Sequence, residues 1–238
     1  MNEASELSRK LGLPGEAPHL VEAFMHRSYA VEHGIDYDNQ RLEFLGDAVL
    51  EIIQTEFLFR RCPDAPEGEL TKLRSALACE GALAEWSRRL GLGEYLKVGR
   101  GEEDSGGAAR CSTLADLFEA VLGAIYLDLG MEAARNFVSP LLESSAGDPG
   151  ELLLEINPKG QLQELTQRRC GRTPCYQVLG VFGPPHQPTF KVEVRVGGWV
   201  AVGDGNSRKQ AESRAAALLC RYLAKLPCGA DKWNVTKY

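Results

Sequence analysis

"QRLEFLGDAVLE", residues 40 to 51, mixes apolar side chains with two carboxylates one helical turn apart, Glu43 and Asp47. Leu45, Ala48, Val49, Ile52 and Ile53 recur at i, i+3, i+4, i+7 and i+8, the period of a helix stripe. At roughly 100° per residue, the stripe centred on Leu45 leaves Glu43 and Asp47 on its far side, together with Gln40, Glu51 and Gln54. Taken alone, the stretch fits a solvated face as well as it fits half of a charge-handling site. Its surroundings must decide.

The helical pattern continues from residue 5 to about residue 143. "EGELTKLRSALACEGALAEWSRRLG" (67–91) reads as one helix or a pair, stopped near Gly91. "VGRGEEDSGGAARC" (98–111) reads as a mobile glycine-rich connection, and without a GK[ST] ending or a flanking strand it is no phosphate-cradling loop. "STLADLFEAVLGAIYLDLG" (112–130) is a long apolar helix with Ser112 or Thr113 as its cap. Its main stripe is Leu114, Leu117, Phe118, Val121 and Ile125, and Asp116 and Glu119 lie opposite beside Ala120, Gly123 and Leu127. Those neighbours are small or apolar, so the helix reads as enclosed on both sides. Enclosed carboxylates must be paired or bind metal. Asp116 has a second explanation, because an acid in a first turn favours the helix dipole. Glu119 has none so simple.

If the two helices face each other with their acid pairs, four carboxylates crowd one pocket. Two unit charges about 5 Å apart repel by roughly 3 kcal/mol at an effective dielectric near 20. A cation relieves this. Oxygen ligands with no His or Cys among them suit a hard ion that keeps its waters, so Mg²⁺ or Mn²⁺ rather than zinc. Such a site fits attack of an activated water on a phosphodiester.

The net charge of −6 conceals two opposite halves: residues 1–150 carry −12 and residues 151–238 carry +6. An acidic module joined to a basic one follows, the basic one suited to a polyanion. "SSAGDPGE" (144–151) has the breaker residues of a linker, placed over residues 144–156. Asn157-Pro158 then opens a helix through Arg169 as cap and first residue. "CYQVLGVF" (175–182) fits a strand, "FKVEVRV" (190–196) alternates strictly, and Gly197-Gly198 turns it into "WVAVG". A last helix runs from Ser207 to about Leu226, with Ala211, Ala215, Leu218, Leu219 and Tyr222 on its packed side. The order α-β-β-β-α makes residues 157–226 a small α+β domain, after an all-α domain at 5–143; the tail 227–238 carries no signal.

The last helix begins with Ser207 and Gln210 as a capping box, and Arg208 and Lys209 stand in its first turn, a grip for phosphate. Gln163 and Gln167, with Glu164 alongside, can bond 2′-hydroxyls in the shallow minor groove of A-form RNA. His186 tips the rigid "GPPH" loop (183–186), shaped to enter a groove. The alternative is a solvated helix end and an ordinary hairpin.

Seven scattered cysteines without a CxxC pair read as free thiols in a reducing cytoplasm rather than disulfides or a zinc site. "MNEASELSRKLGLPG" lacks the features of a secretory signal, and the apolar runs are too short to span a membrane. A cytoplasmic protein with no membrane partner is expected.

"QRLEFLGDAVL" resembles the signature stretch of bacterial ribonuclease III, and "LADLFEAVLGAIYLD" resembles that family's second catalytic helix. "MHRSYAVEHG" (25–34), "EGELTKLR" (67–74) and "GEYLKVGRGEEDSGG" (93–107) fall in the family's order. "GPPHQPTFKVEVRVGG" and "GDGNSRKQAESRAA" resemble a double-stranded-RNA-binding domain, here from about Pro158 to Leu226. The resemblance covers most of residues 5–226. It implies an all-α endonuclease domain that dimerises through the signature helix and cuts both strands of double-stranded RNA (dsRNA). It also implies 5′-phosphate products with short 3′ overhangs, processing of ribosomal and other structured RNA precursors, and no small-molecule cofactor. By resemblance, Glu43, Asp116 and Glu119 hold the metal, Asp47 orients or activates the water, and Glu119 is central to the chemistry. Phe44 packs into the partner subunit, His26 is structural, and Glu67 contributes to the RNA-binding valley or neighbours the site.

Three departures stand out. Many members carry an acid where this chain has Gln40. Gly160 stands where many such RNA-binding domains have a hydroxyl or a longer side chain. Glu212 and Asp204 lower the positive charge at the last helix. Two rival functions compete: a non-catalytic dsRNA-binding protein with an acidic dimerisation domain, and a metal-dependent phosphohydrolase of small nucleotides. The first leaves the clustered acids without a purpose, the second the basic module.

Overall fold

In the computed structural model, which describes residues 3–184 and 186–226, the acidic half is built from helices. They are α1 (Glu3–Lys10), α2 (Leu20–Ala23), α3 (Arg27–His33), α4 (Gln40–Arg61), α5 (Glu67–Leu77), α6 (Glu80–Arg89), α7 (Arg100–Asp104) and α8 (Cys111–Ala146). Gly130, at φ 82° and ψ 177°, breaks α8 into two runs, a conformation only glycine adopts without strain. The chain divides into two units, Met1–Gly147 and Asp148–Tyr238.

The core of the first unit is the crossing of α4 and α8. Leu42, Val49, Leu50, Ile53 and Leu58 are buried on α4, as are Leu117, Phe118, Val121 and Ile125 on α8. Full burial of side chains of this size contributes about 1.5–3 kcal/mol each. At the crossing the two backbones touch through glycine. A Cβ added at Gly46 would collide with the Glu119 carbonyl, and one added at Gly123 with the Leu42 carbonyl. From the other side α6 closes the core: Trp86 meets Phe118 edge-on at 5.3 Å, and Ser87 Oγ donates to the Leu114 carbonyl.

The buried stripe of α4 is rotated from the one its periodicity suggests. Ala48 and Ile52 face outward, while Gly46 and Gln54 face in. The reason is Gly46: bare backbone packs closer than a side chain, so the helix turns its glycine, not Leu45, towards α8. Gln54 is carried inward and fully buried, with neither amide atom hydrogen-bonded. The 98–111 connection also differs from expectation, since it contains α7 and a short 3₁₀ turn, Gly107–Ala109. Contacts from the α3 region order it: Glu32 accepts from the Arg100 N–H at 2.8 Å and Ser28 Oγ from the Gly99 N–H at 2.9 Å. The residue preceding α8 is Arg110, so neither Ser112 nor Thr113 is its cap; both lie inside the first turn.

The second unit comprises α9 (Pro149–Ile156), α10 (Pro158–Cys170), β1 (Cys175–Phe182), β2 (Thr189–Val196), β3 (Trp199–Gly205) and α11 (Arg208–Ala224). The stretch read as a linker is thus largely helical, because Asp148 caps the Gly150 N–H and Leu153 and Leu154 are buried. The sheet is antiparallel in the order β1-β2-β3, with a bulge between Val178 and Gly180. Val194 and Val196 pack with Leu162, Ala215, Ala216, Leu219 and Leu223 in its core. On α11 the packed face runs through Ala211, Ala215, Leu219 and Leu223, whereas Leu218 and Tyr222 are more than half exposed. Gly203 and Gly205 draw the start of α11 onto β3, and this fixes which side of the helix faces the sheet. The tail at 227–238 lies outside the described residues.

Replacing Gly46 or Gly123 by Ala forces α4 and α8 apart. Each variant should lose about 1–3 kcal/mol, the range for overpacking, measured by chemical denaturation. Unchanged stability in both would show that the backbones are not in contact.

Candidate active site

The glycine crossing decides where the acids go. Glu43 and Asp47 flank Gly46 on α4, and Glu119 stands one turn before Gly123 on α8, with Asp116 one turn earlier. Carboxylate oxygens of Glu43, Asp116 and Glu119 all lie within 4.8 Å of one another, each side chain half-buried. Asp47 is exposed and outside that trio, yet its charge reaches Glu119.

Each of the three resists ionisation. Glu119 is pushed up to about 8, first by burial and then by the charges of Asp47, Glu43 and Asp116. Glu43 is raised by burial, then by Asp116, Asp38 and Asp47. Burial also raises Asp116, with Glu80 adding to it and His26 opposing. Asp38 and Glu80 were not singled out from the sequence. They sit on other segments, before α4 and at the start of α6, where no periodicity links them to the acid pairs. The trio fits a hard dication: its donors are carboxylate oxygens alone, and their mutual repulsion is what such an ion removes.

The other candidates fall into place one by one. His26 caps α3, its Nδ1 accepting from the Ser28 N–H at 3.2 Å. Glu67 accepts from Thr71 Oγ1 at 3.0 Å and lines a groove with Phe59, and it is not one of the three clustered carboxylates. Gln40 takes a hydrogen bond from Arg27 Nη1 at 3.2 Å. Phe44 is 83 % exposed and heads an outward apolar row with Ala48, Ile52 and Phe59.

In the second unit Gln163 and Gln167 are exposed on α10 and Glu164 is half-buried between them. His186 is exposed in the turn between β1 and β2. Ser207 caps α11, accepting from the Gln210 N–H at 3.2 Å, while Gln210 reaches back to the Asn206 N–H at 2.8 Å. Lys209 is exposed. Arg208 donates to Glu212 at 2.8 Å, and Glu212 also binds Lys159 at 2.6 Å. Glu212 is therefore a buried tie between α10 and α11, and through its pairs with Arg208 and Lys159 it does offset positive charge at the start of the last helix. Burial pushes its carboxyl up, but the hydrogen bonds from Lys159 and Arg208 prevail and hold it below the usual range. The space beside Gly160 is filled by the Asn157 side chain.

Residues 18–144 match a family model described as ribonuclease-III-like, and residues 158–223 match the double-stranded RNA binding motif. A protein of Leifsonia xyli named Ribonuclease 3 is 44 % identical over 232 residues, covering 95 % of this chain and 98 % of its own. Ribonuclease 3 of Desulforamulus reducens is 46 % identical over 219 residues, covering 90 % and 89 %. The crystal structure of the nuclease domain of ribonuclease III from Campylobacter jejuni matches with a TM-score of 0.55 at 36 % identity, covering 62 % of this chain and 99 % of that one. A second structure of that domain concerns flexibility in a region involved in its dimer formation, with the same TM-score of 0.55.

The raised carboxyls set a pH signature. In the unfolded chain Glu119 ionises near 4.5, in the folded metal-free protein only near 8, so folding binds a proton between those values. Metal-free stability should fall as pH rises across that window, and added Mg²⁺ should restore more melting temperature at its top than at its bottom. Glu119→Gln should flatten both trends. A parent protein whose Mg²⁺-induced shift is independent of pH would contradict this.

Proposed function

This chain belongs to the ribonuclease III family and is an endonuclease of double-stranded RNA, and from that premise we propose how its residues divide the work. Glu43, Asp116 and Glu119 hold a divalent cation, Mg²⁺ with Mn²⁺ able to replace it; the all-carboxylate donor set supports this choice. The bound ion supplies the positive charge that offsets these carboxylates and stabilises charge developing on the phosphodiester. Asp47, one turn beyond Glu43, orients the attacking water and accepts its proton. Glu119 ties the two functions together, since it faces both the other ligands and the field of Asp47. Hydrolysis leaves a 5′-phosphate, and two such sites acting on opposite strands leave short 3′ overhangs.

The basic unit delivers the duplex. Gln163, Glu164 and Gln167 bond 2′-hydroxyls in one minor groove, and His186 enters another. Ser207, Arg208 and Lys209 grip backbone phosphate at the N-terminus of α11. Ribosomal and other structured RNA precursors suit recognition by shape. The reducing cytoplasm suits the free cysteines at 62, 79, 111, 170, 175 and 220. Among the described residues no helix is long and apolar enough to cross a membrane.

The active form is a homodimer through the outward row of α4. Phe44 and Phe59 are about 22 Å apart along the helix. Beside Phe59 lies a groove of about 240 Å³, lined by Thr55, Leu58, Leu70, Thr71 and Arg74. A two-fold axis between them would seat the Phe44 of one protomer in the groove of the other, burying a row too apolar for water.

What carries the proposal is the convergence of three carboxylates from two helices within 4.8 Å. Long dsRNA should be cut in Mg²⁺ and left intact in EDTA, with ssRNA and dsDNA untouched. Glu119→Ala should lower the cleavage rate by at least about a hundredfold while leaving dsRNA affinity unchanged; a variant that cuts like the parent would refute the site. Residues 1–147 alone should cleave only at low salt, because the phosphate grip is gone. Equal activity of that fragment at physiological salt would refute the division of labour.

A further inference from the structure

The acidic unit contains a concentration of positive charge that RNA cleavage does not use. Arg60 and Arg61, the last residues of α4, and Arg135, in the second run of α8, line a groove of about 430 Å³. That volume falls in the ~300–1,000 Å³ range of small-ligand sites. Past the break at Gly130, the second run of α8 brings Arg135 and Ser139 onto the end of α4. Ile53, buried, and Phe57, half-buried, supply an apolar floor.

Charge is left over in this groove. Glu56 is its one lining carboxylate, 2.6 Å from Arg135 and 3.7 Å from Arg60. Arg61 donates to the neutral Gly147 carbonyl at 3.0 Å. Two guanidiniums share one carboxylate and the third faces a neutral carbonyl, so the lining keeps a surplus of two positive charges, in a unit that is otherwise strongly acidic. A helix C-terminus favours cations, which accounts for Arg60 and Arg61. It does not account for Arg135 turned onto the same groove from another helix, or for the apolar floor beneath.

We propose that this groove is a binding site for a nucleoside di- or triphosphate. The arginines take the phosphates, bidentate pairing being what a guanidinium offers an oxyanion, and the half-buried Phe57 takes the base. A concave site with an apolar floor suits a small ligand better than a duplex backbone, which meets projecting cations. Ile53, Phe57 and Arg60 lie on the side of α4 opposite Phe44, so the dimer leaves the groove open.

Isothermal titration of the full chain with ADP and with inorganic pyrophosphate, in EDTA, tests the site without metal at the carboxylate cluster. One site per chain is expected, with ADP bound more tightly than pyrophosphate. Arg60→Gln should weaken ADP binding about tenfold. Glu56→Gln, which removes the competing carboxylate, should tighten it, a gain that misfolding cannot produce. Both variants should cleave dsRNA at the parent rate. No binding by the parent, equal affinity in Arg60→Gln, or weaker affinity in Glu56→Gln would each overturn the proposal. So would loss of dsRNA affinity in Arg60→Gln with ADP binding unaltered, which would make the groove a backbone contact.

Discussion

The contact on which the acidic unit depends is between two pieces of bare backbone. Gly46 and Gly123 let α4 and α8 approach until each Cα faces a carbonyl of the other helix. Close packing of this kind leaves no tolerance for a methyl group. It also fixes the azimuth of both helices, and therefore which side chains converge beside the crossing. Glu43 comes from one and Asp116 and Glu119 from the other, so no single helix contains the site. The same device recurs in the basic unit, where Gly203 and Gly205 admit α11 against β3.

Electrostatics then follows from geometry. Rigid helices hold three carboxylates together at half-burial, so the protein cannot relax their repulsion by moving them apart. It absorbs it by keeping protons, as the raised Glu119 shows, or by exchanging them for a cation. Asp38 and Glu80 add negative field from outside the cluster and make that exchange more favourable. In the basic unit the opposite solution appears: Glu212 is buried but fully paired, joining α10 to α11 through Lys159 and Arg208.

Much of this was readable in the amino-acid order, and the misses share a cause. The two acid pairs, the alternating strand around Val192–Val196 and the capped start of α11 are local patterns, and local patterns survive in sequence. The azimuth of α4 was misread because apolar counting ranks Leu45 above Gly46, whereas close backbone approach ranks them the other way. Gln54 was carried inward by that same rotation, and Leu218 and Tyr222 were turned outward by the glycine contacts that α11 makes with the preceding strand, β3. The helix at Pro149–Ile156 was hidden by breaker residues, Asp148-Pro149-Gly150, that here serve as its cap and first two residues. Asp38 and Glu80 act through space, which no spacing rule reports.

The central claim is that the glycine crossing assembles one cation site from Glu43, Asp116 and Glu119. Anomalous diffraction from crystals of the full chain soaked in Mn²⁺ tests it most directly. A peak in contact with carboxylate oxygens of all three residues is the expected result. A peak held by other residues, or none while Glu43 and Glu119 point to separate solvent, would contradict it.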